Sequence, residues 1–511
     1  MLLWTTYVMA NPDGLFERQV IGINGQFPPP AINVTFNDTL VINVVNQLSE
    51  PMRTASEWDL LYCIHGHHRG HYVDGLRAPL IVHNPLVPQA AQGSGGGISV
   101  DFQPEWGGAR APVWVDQPTE QHRVPGKTYR LRIINMSALA MFHFYIDGHE
   151  VEIIEVDGVD VEWKTVKTFP DLGRSTNETL MNYYVHGEMD PVMFDRVPED
   201  LVLSVRGKIV YNASETAPMA PVETVVAWPS FDDGAELVPT VPVETTTRVD
   251  RQFVVKATFQ LMEDYVNRAL FNEVPYVAPK VPSLFTALSM GSLANMSEVY
   301  GKHSNPMVVP FGAWVEIVID NDDLGTHPFH LHGHVFQVVE RTTDGLFDPS
   351  SGGGGGYPYF ETTNPLRRDT VVVPAGTSAA IRFRALNPGV WFFHCHIEWH
   401  LEAGLAMTLI EAPEEMPRVL RVDPAHYEHC RVLGIPFQGN AAGSAGLDMR
   451  GMNVGPGLLE RKFRAKGIVA LMFSVLAAVM GLATVVWYAH EDEAEMTEQA
   501  RQARLQKARQ E

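Results

Sequence analysis

The chain has 511 residues and a formal net charge of −22. That acidity speaks against nucleic acid as a partner and favours a cation, although acidity also serves solubility alone. Apolar residues at 45% and charged residues at 19% exclude a disordered chain, and three cysteines (Cys63, Cys395, Cys430) exclude a disulfide scaffold, since at most one bridge forms and one thiol stays free or binds metal.

Residues 1–10 lack the length and basic start of a secretory signal. Six Asn-x-Ser/Thr sequons, at Asn33, Asn37, Asn135, Asn177, Asn212 and Asn295, nevertheless favour a secretory route. The beginning of the chain is therefore expected to be incomplete. Most of the chain reads as β. The runs 39–46, 129–135, 314–319 and 370–373 are short and β-branched, with Gly, Pro, Asn and Asp between them. That pattern predicts sandwiches or small Greek-key barrels, with no βαβ rhythm. The length suggests about three domains, expected at 1–85, 98–221 and 250–424. Gly-rich stretches at 93–97 and 352–356 are expected loops.

Two histidine-rich strings stand out in the third region. One is His327-Pro-Phe-His330-Leu-His332-Gly-His334; the other is His394-Cys395-His396-Ile-Glu-Trp-His400. A thiolate among imidazoles suits copper or zinc, but no CxxC or HExxH spacing supports zinc. If 394–396 is a strand, Cys395 faces one way and His394 and His396 the other, so one strand serves two metal sites. His327 and His400 complete a His₂Cys set with Cys395, the donor type of a blue-copper centre.

A stalk is expected over 425–466. Residues 467–489 carry no charge; as a helix this run spans about 35 Å, enough for a bilayer, and Trp487 and Tyr488 sit at one end as interfacial aromatics do. Basic residues flank it on both sides, so charge does not orient it. The sequons place the large N-terminal part outside and the tail 490–511 in the cytosol.

The strings HPFHLHGH and HCHIxWHxxxG resemble the last two copper motifs of the multicopper oxidases. Residues 10–26 resemble the mature start of fungal laccase-like and iron-transport oxidases. Residues 62–76, with His65, His67 and Asp74-Gly75-Leu76, resemble the family motif YWYHSHxxGQYxDGL. The resemblance implies an all-β chain of three cupredoxin-like Greek-key β-sandwich domains, the first two shortened, followed by a transmembrane helix. It implies copper as the cofactor: type 1 on His327, Cys395 and His400, type 2 on His330, and the type 3 pair on His65, His67, His332, His394 and His396. Leu405 takes the axial position of type 1 and cannot ligate, which implies an oxidising site.

The pattern also breaks. The family's first motif, HxHG, is missing, and residues 52–61 contain no histidine. One type 2 and one type 3 ligand are therefore absent. In related oxidases a cysteine near the end of the third domain pairs with one inside that missing stretch, so Cys430 is expected to be orphaned, unless Cys63 replaces the lost partner. These losses suggest an incomplete or mis-spliced gene model, with a diverged protein as the alternative.

Asp323 lies where iron-transport ferroxidases carry an Asp, and Glu150 where they carry a Glu and laccases usually do not, while Arg268 replaces an aromatic residue of that iron site. The resemblance thus implies a plasma-membrane ferroxidase, single-pass with its large domain extracellular. Fe(II) and oxygen are its substrates, and Fe(III) passes to a high-affinity iron permease in the same membrane. Asp232 and Asp233 are read either as an acidic patch on the iron route or as a turn. A laccase-type phenol oxidase and a copper-binding form without oxygen chemistry are the alternatives.

Overall fold

A computed structural model describes the chain except for residues 12–16, 36, 50–53, 57–62, 67–75, 84–119, 123–130, 132, 136, 167–181, 195, 198, 200, 202, 211–232, 246–248, 343–344, 347–362, 460–464 and 510–511. Residues Met1–Met262 with Val266–Pro456 form one unit, and Glu263–Tyr265 with Gly457–Glu511 a second.

In the first unit, strands Arg18–Ile23, Leu2–Ala10 and Asn43–Asn46 form one sheet. Ile32–Thr35, Arg77–His83, Cys63–Gly66 and Thr54–Ser56 form another. Leu3, Ile21, Ile23, Ile32, Ala78 and Leu80 from both sheets share one core, because alternate residues of a strand point to the same face. A four-stranded sheet comes next, in the order Glu120–His122, Ser204–Val210, Tyr183–Met189 and Phe142–Ile146. Beside it in the sequence stands the hairpin Val151–Val156 and Val159–Val166.

The C-terminal sandwich is the largest. Its six-stranded sheet runs Asn267–Phe271, Arg251–Leu261, Trp314–Asn321, Ser378–Arg384, Phe336–Arg341, Arg367–Arg368. Its five-stranded sheet runs Pro306–Val309, Ala406–Glu411, Gly389–Cys395, His327–Leu331, Thr370–Val373. Val315, Ile317 and Ile319 on one sheet face Phe329, Phe393 and Leu409 on the other within a single buried cluster. Removing that apolar surface from water is the main force holding the sheets together.

Two predicted strands differ from expectation. Of 39–46 only Asn43–Asn46 pairs, while Leu40 and Ile42 pack against the first core from a loop. Among the described residues of 129–135 there is no strand. There the Asn135 side chain accepts from Ser137 N at 2.9 Å and donates to Ala140 O at 3.1 Å, the local competition by which Asn replaces a ladder with a turn. The region expected as a stalk holds the helix Pro424–Val432 and then a folded segment up to Pro456. Fully buried Asn440 donates to the carbonyls of Gly446 and Asp448, and Ala441 exchanges backbone bonds with Val299 and Lys280. The Gly93–Gly97 and Gly352–Gly356 loops lie outside the described residues.

Asp233 opens the short helix Asp233–Glu236. Its carboxylate accepts from Arg341 and Arg368, and Arg368 Nε also reaches Asp157 Oδ2 at 3.1 Å. It clamps the Val151–Val166 hairpin region to the C-terminal sandwich. Burial pushes its pKa up, but the two guanidinium groups outweigh burial and hold it below the ordinary carboxylate value. A depressed folded pKa contributes stability above the unfolded value of about 3.9, lost as pH falls through the folded one. Asp233→Asn is expected to cost about 3–5 kcal/mol at pH 7 and to remove part of the stability lost on acidification below about pH 4. Urea unfolding across that range is the check; an unchanged acid slope would show that the clamp carries no such linkage.

In the second unit, Ala465–Lys507 is one 43-residue helix. Within it Gly467–Lys507 contains a window of mean hydropathy 2.5, long and apolar enough to cross a membrane. The helix continues through the charged tail, where Glu498 and Arg501 pair at 3.6 Å.

Candidate metal centre

The two histidine strings are neighbours in the five-stranded sheet. Strand His327–Leu331 runs antiparallel to Gly389–Cys395, with Phe329 opposite Cys395 and His330 opposite His394. Side-chain alternation then sorts the donors. Cys395 faces the apolar core beside Phe329, both fully buried. The chain next turns into the helix Glu398–Glu402. His400 N donates to Ile397 O at 3.0 Å and Cys395 N to Leu405 O at 3.1 Å, which folds His400 back toward the thiol.

Cys395 Sγ lies 3.6 Å from His327 Nδ1 and 3.6 Å from His400 Nδ1, and the two nitrogens are 3.0 Å apart. A sulfur and an imidazole nitrogen sharing a metal in a trigonal plane, at about 2.3 and about 2.0 Å, stand about 3.7 Å apart. The three side chains therefore fit a single soft-to-borderline cation such as copper. Leu405, fully buried in the same cluster, offers it no donor atom. Phe259 stacks beside His327, ring centroids 5.7 Å apart, and meets His400 edge-on at 4.9 Å.

Burial is the main force on these groups. It pushes the Cys395 thiol far up, with the Asp323 charge adding to it, so metal binding must displace a proton. Burial, and then His327, pushes His400 down to about 3, which keeps its ring neutral and its lone pair available. Asp323 accepts from His327 Nε2 at 2.9 Å and keeps 24% of its side-chain surface exposed. Burial raises its pKa, but bonds from His327 and from the Gly325 and Leu324 amides bring it below the usual value. With Nε2–H given to Asp323, the His327 Nδ1 lone pair points to the thiol side, the usual way an outer carboxylate sets a ligand tautomer.

The other donors gather separately. The His330 ring lies 5.0, 5.7 and 5.7 Å from those of His332, His394 and His396. His394 Nδ1 is bonded to its neighbour's carbonyl at 2.8 Å, and its Nε2 faces His332 Nε2 at 3.1 Å. Two imidazole nitrogens at that distance need a proton or a cation between them. His330 Nδ1 is held by Asp369 O at 2.8 Å.

Sequence reasoning gave His334 no partner. It bridges His332 O at 2.9 Å and the fully buried Glu411 at 2.6 Å, 77 positions away. Gly333 between these histidines has φ +72, and a Cβ there would come within 2.5 Å of the Trp391 ring, so only glycine fits this turn. Neither Glu411 nor Phe259 carried a sequence signal, because their roles depend on strands brought together from afar.

Glu150 comes after the turn at Gly148 and is exposed at the start of the Val151–Val166 hairpin. The backbone of His65 lies in strand Cys63–Gly66, but its side chain and all of His67 lie outside the described residues. Cys430 is buried against Val281 and Phe285 and is a free thiol; the side chain of Cys63 is not described.

Three family models described as multicopper oxidase match residues 5–59, 100–170 and 276–415. The iron multicopper oxidase fer1 of Mycosarcoma maydis is 35% identical over 94% of this chain and 91% of its own length. The iron transport multicopper oxidase fetC of Epichloe festucae is 34% identical over 94% and 88%. The fer1 alignment spans 579 positions against a chain of 511, so that relative carries segments with no counterpart here. The crystal structure of Fet3p, described as a multicopper oxidase that functions in iron import, superposes with TM-score 0.78 at 29% identity, covering 90% of this chain and 99% of that one. A laccase from Botrytis aclada shares the fold at TM-score 0.63 and 22% identity, over 85% and 91%. The fold is the cupredoxin-like β-sandwich of these enzymes, copper is the cofactor the family implies, and the chain belongs to the multicopper oxidases.

Proposed function

We propose that this chain is a membrane-anchored ferroxidase that oxidises Fe(II) to Fe(III) at the expense of oxygen, for iron uptake. The observation that carries the reading is the carboxylate of Asp323 on the outer nitrogen of His327, 2.9 Å away. Iron is a harder cation than copper and takes carboxylate oxygen readily, the more so as it is oxidised. A neutral phenol meets that carboxylate only as a hydrogen-bond acceptor, whereas Fe(II) takes it as a ligand and a counter-charge. Relatives named for iron transport support the same substrate.

His327, Cys395 and His400 would hold type 1 copper, His330 type 2, and His332, His394 and His396, with His65 and His67, the type 3 pair. Copper, when bound, supplies one-electron acceptance at the first site and oxygen reduction at the second. The chain's own part is placement. Asp323, with Glu150 as its second carboxylate, binds the iron and orients it. The His327 ring joins that carboxylate on one edge to the Cys395 thiol on the other. Cys395 is in turn bonded through one peptide to His394 and through another to His396, on the opposite strand face. Phe259 and the surrounding core exclude water. The apolar helix would anchor the protein as a single pass in the plasma membrane, large domain outside, next to a high-affinity iron permease.

A second reading has a specific basis. With no histidine in 52–61, the oxygen site lacks two imidazoles, which favours a copper-binding form impaired in oxygen turnover. Anaerobic stopped-flow reduction of the copper-loaded chain tests the iron reading without needing the oxygen site. Asp323→Asn is expected to slow loss of the blue colour by Fe(II) about tenfold more than loss by a neutral hydroquinone, roughly 1.4 kcal/mol. Glu150→Gln should act in the same direction. Equal effects on both reductants would exclude a carboxylate iron site.

A further inference from the structure

In the loop that carries Asp323, one buried amide holds both Asp323 and Gly325. Asn321 ends strand Trp314–Asn321 and is fully buried. Its Nδ2 lies 2.8 Å from Gly325 O, 3.0 Å from Val373 O and 3.0 Å from Pro374 O. Its Oδ1 accepts from Asp323 N at 3.3 Å. One side chain thus ties Asp323 and Gly325 of the 322–325 loop to the end of strand Thr370–Val373 in the other sheet. Asp322 is anchored separately, by Lys256 at 2.6 Å and by its amide on Ala257 O at 3.0 Å. Leu324 at the tip is 98% exposed, so no core packing shapes the loop.

Gly325 closes the device. Its amide donates to Asp323 Oδ2 at 3.2 Å, the oxygen that also accepts from His327. A Cβ on Gly325 would stand 3.2 Å from that oxygen and 3.8 Å from His327 Nε2. A side chain there would press on the carboxylate at the point where it meets the ligand histidine. Without the amide of Asn321, the long-range ties left act at Asp322, through Lys256 and Ala257, and at the Asn321 backbone; Asp323 and Gly325 keep only local ones, and an Asp side chain with two free torsions leaves a hydrogen bond to one ring nitrogen readily.

We propose that Asn321 is the positioning residue of electron entry: its buried amide holds the loop so that Asp323 stays on His327 Nε2, and Gly325 keeps that contact clear. This rests on Asp323 being the iron carboxylate. An Asn at the end of a strand that serves only to stabilise a turn would leave the choice of reductant unchanged. A positioning role changes it, because Fe(II) needs the carboxylate as a ligand, whereas a neutral hydroquinone gains at most one hydrogen bond from it.

The test is anaerobic stopped-flow bleaching of the copper-loaded full chain by Fe(II) and by hydroquinone, in Asn321→Ser, Gly325→Ala and Asp323→Asn. Gly325→Ala sits on a partly exposed loop and covers the case in which Asn321→Ser fails to fold. The expected result is that the ratio of the Fe(II) rate to the hydroquinone rate falls at least tenfold in both loop variants, with blue absorbance per chain at the parent's value. If Asp323→Asn lowers the ratio and the loop variants do not, the positioning role is wrong and the iron reading stands. If the loop variants lose the blue absorbance and both rates together, the loop serves the copper site alone and the inference is overturned. If Asp323→Asn leaves the ratio unchanged, the iron reading fails and this inference with it.

Discussion

Cys395→Ser is expected to abolish the blue absorption of the copper-loaded chain and to slow its reduction by Fe(II) at least about a hundredfold. The site holds its three donors within 4.8 Å of one another, and Cys395 is the only sulfur among them. Intense colour in such a site comes from the thiolate, which a serine hydroxyl does not replace. Two imidazoles then remain in a pocket where burial disfavours a charged metal with no anionic ligand. Seryl is close in volume to cysteinyl, so the sandwich should stay folded, and circular dichroism is the control. A Ser variant that kept the parent's blue band would place the copper elsewhere in the chain.

Oxygen chemistry should show the second large effect. Reduction of dioxygen to water takes four electrons, and the family performs it at three clustered coppers. This chain brings the rings of His330, His332, His394 and His396 together, and the resemblance adds His65 and His67. Residues 52–61 add no histidine. We expect copper per chain to fall short of the family's set of four. We also expect steady oxygen uptake with Fe(II) to run at least about a hundredfold below the anaerobic bleaching rate, a barrier difference of about 2.7 kcal/mol. Restoring a segment containing HxHG between Glu50 and Tyr62 should raise both. Metal analysis and an oxygen electrode decide the matter: a full complement of copper with uptake keeping pace with bleaching would falsify the impaired reading and leave the simple ferroxidase.

What the sequence determined by itself was local. Period-two alternation in 394–396 separates Cys395 from His394 and His396 whatever the rest of the chain does. A charge-free run of 23 residues reads as a membrane-length helix for the same reason, since length and hydropathy are properties of the segment. The strands at 314–319 and 370–373 were legible because their β-branched residues meet no local competitor; at 129–135 the side chain of Asn135 offered the backbone another partner. Only the tertiary structure decided which donors meet. His327 and Cys395 are 68 positions apart, and antiparallel pairing of Phe329 with Cys395 is what sets their atoms 3.6 Å apart. Nothing in the spacing showed that Asp233 pairs with Arg341 and Arg368, more than a hundred positions on. Asn321 had no visible role, because the carbonyls it holds come from Gly325, Val373 and Pro374 on two separate stretches. Burial makes such long-range polar partners obligatory, and no spacing in the chain announces them.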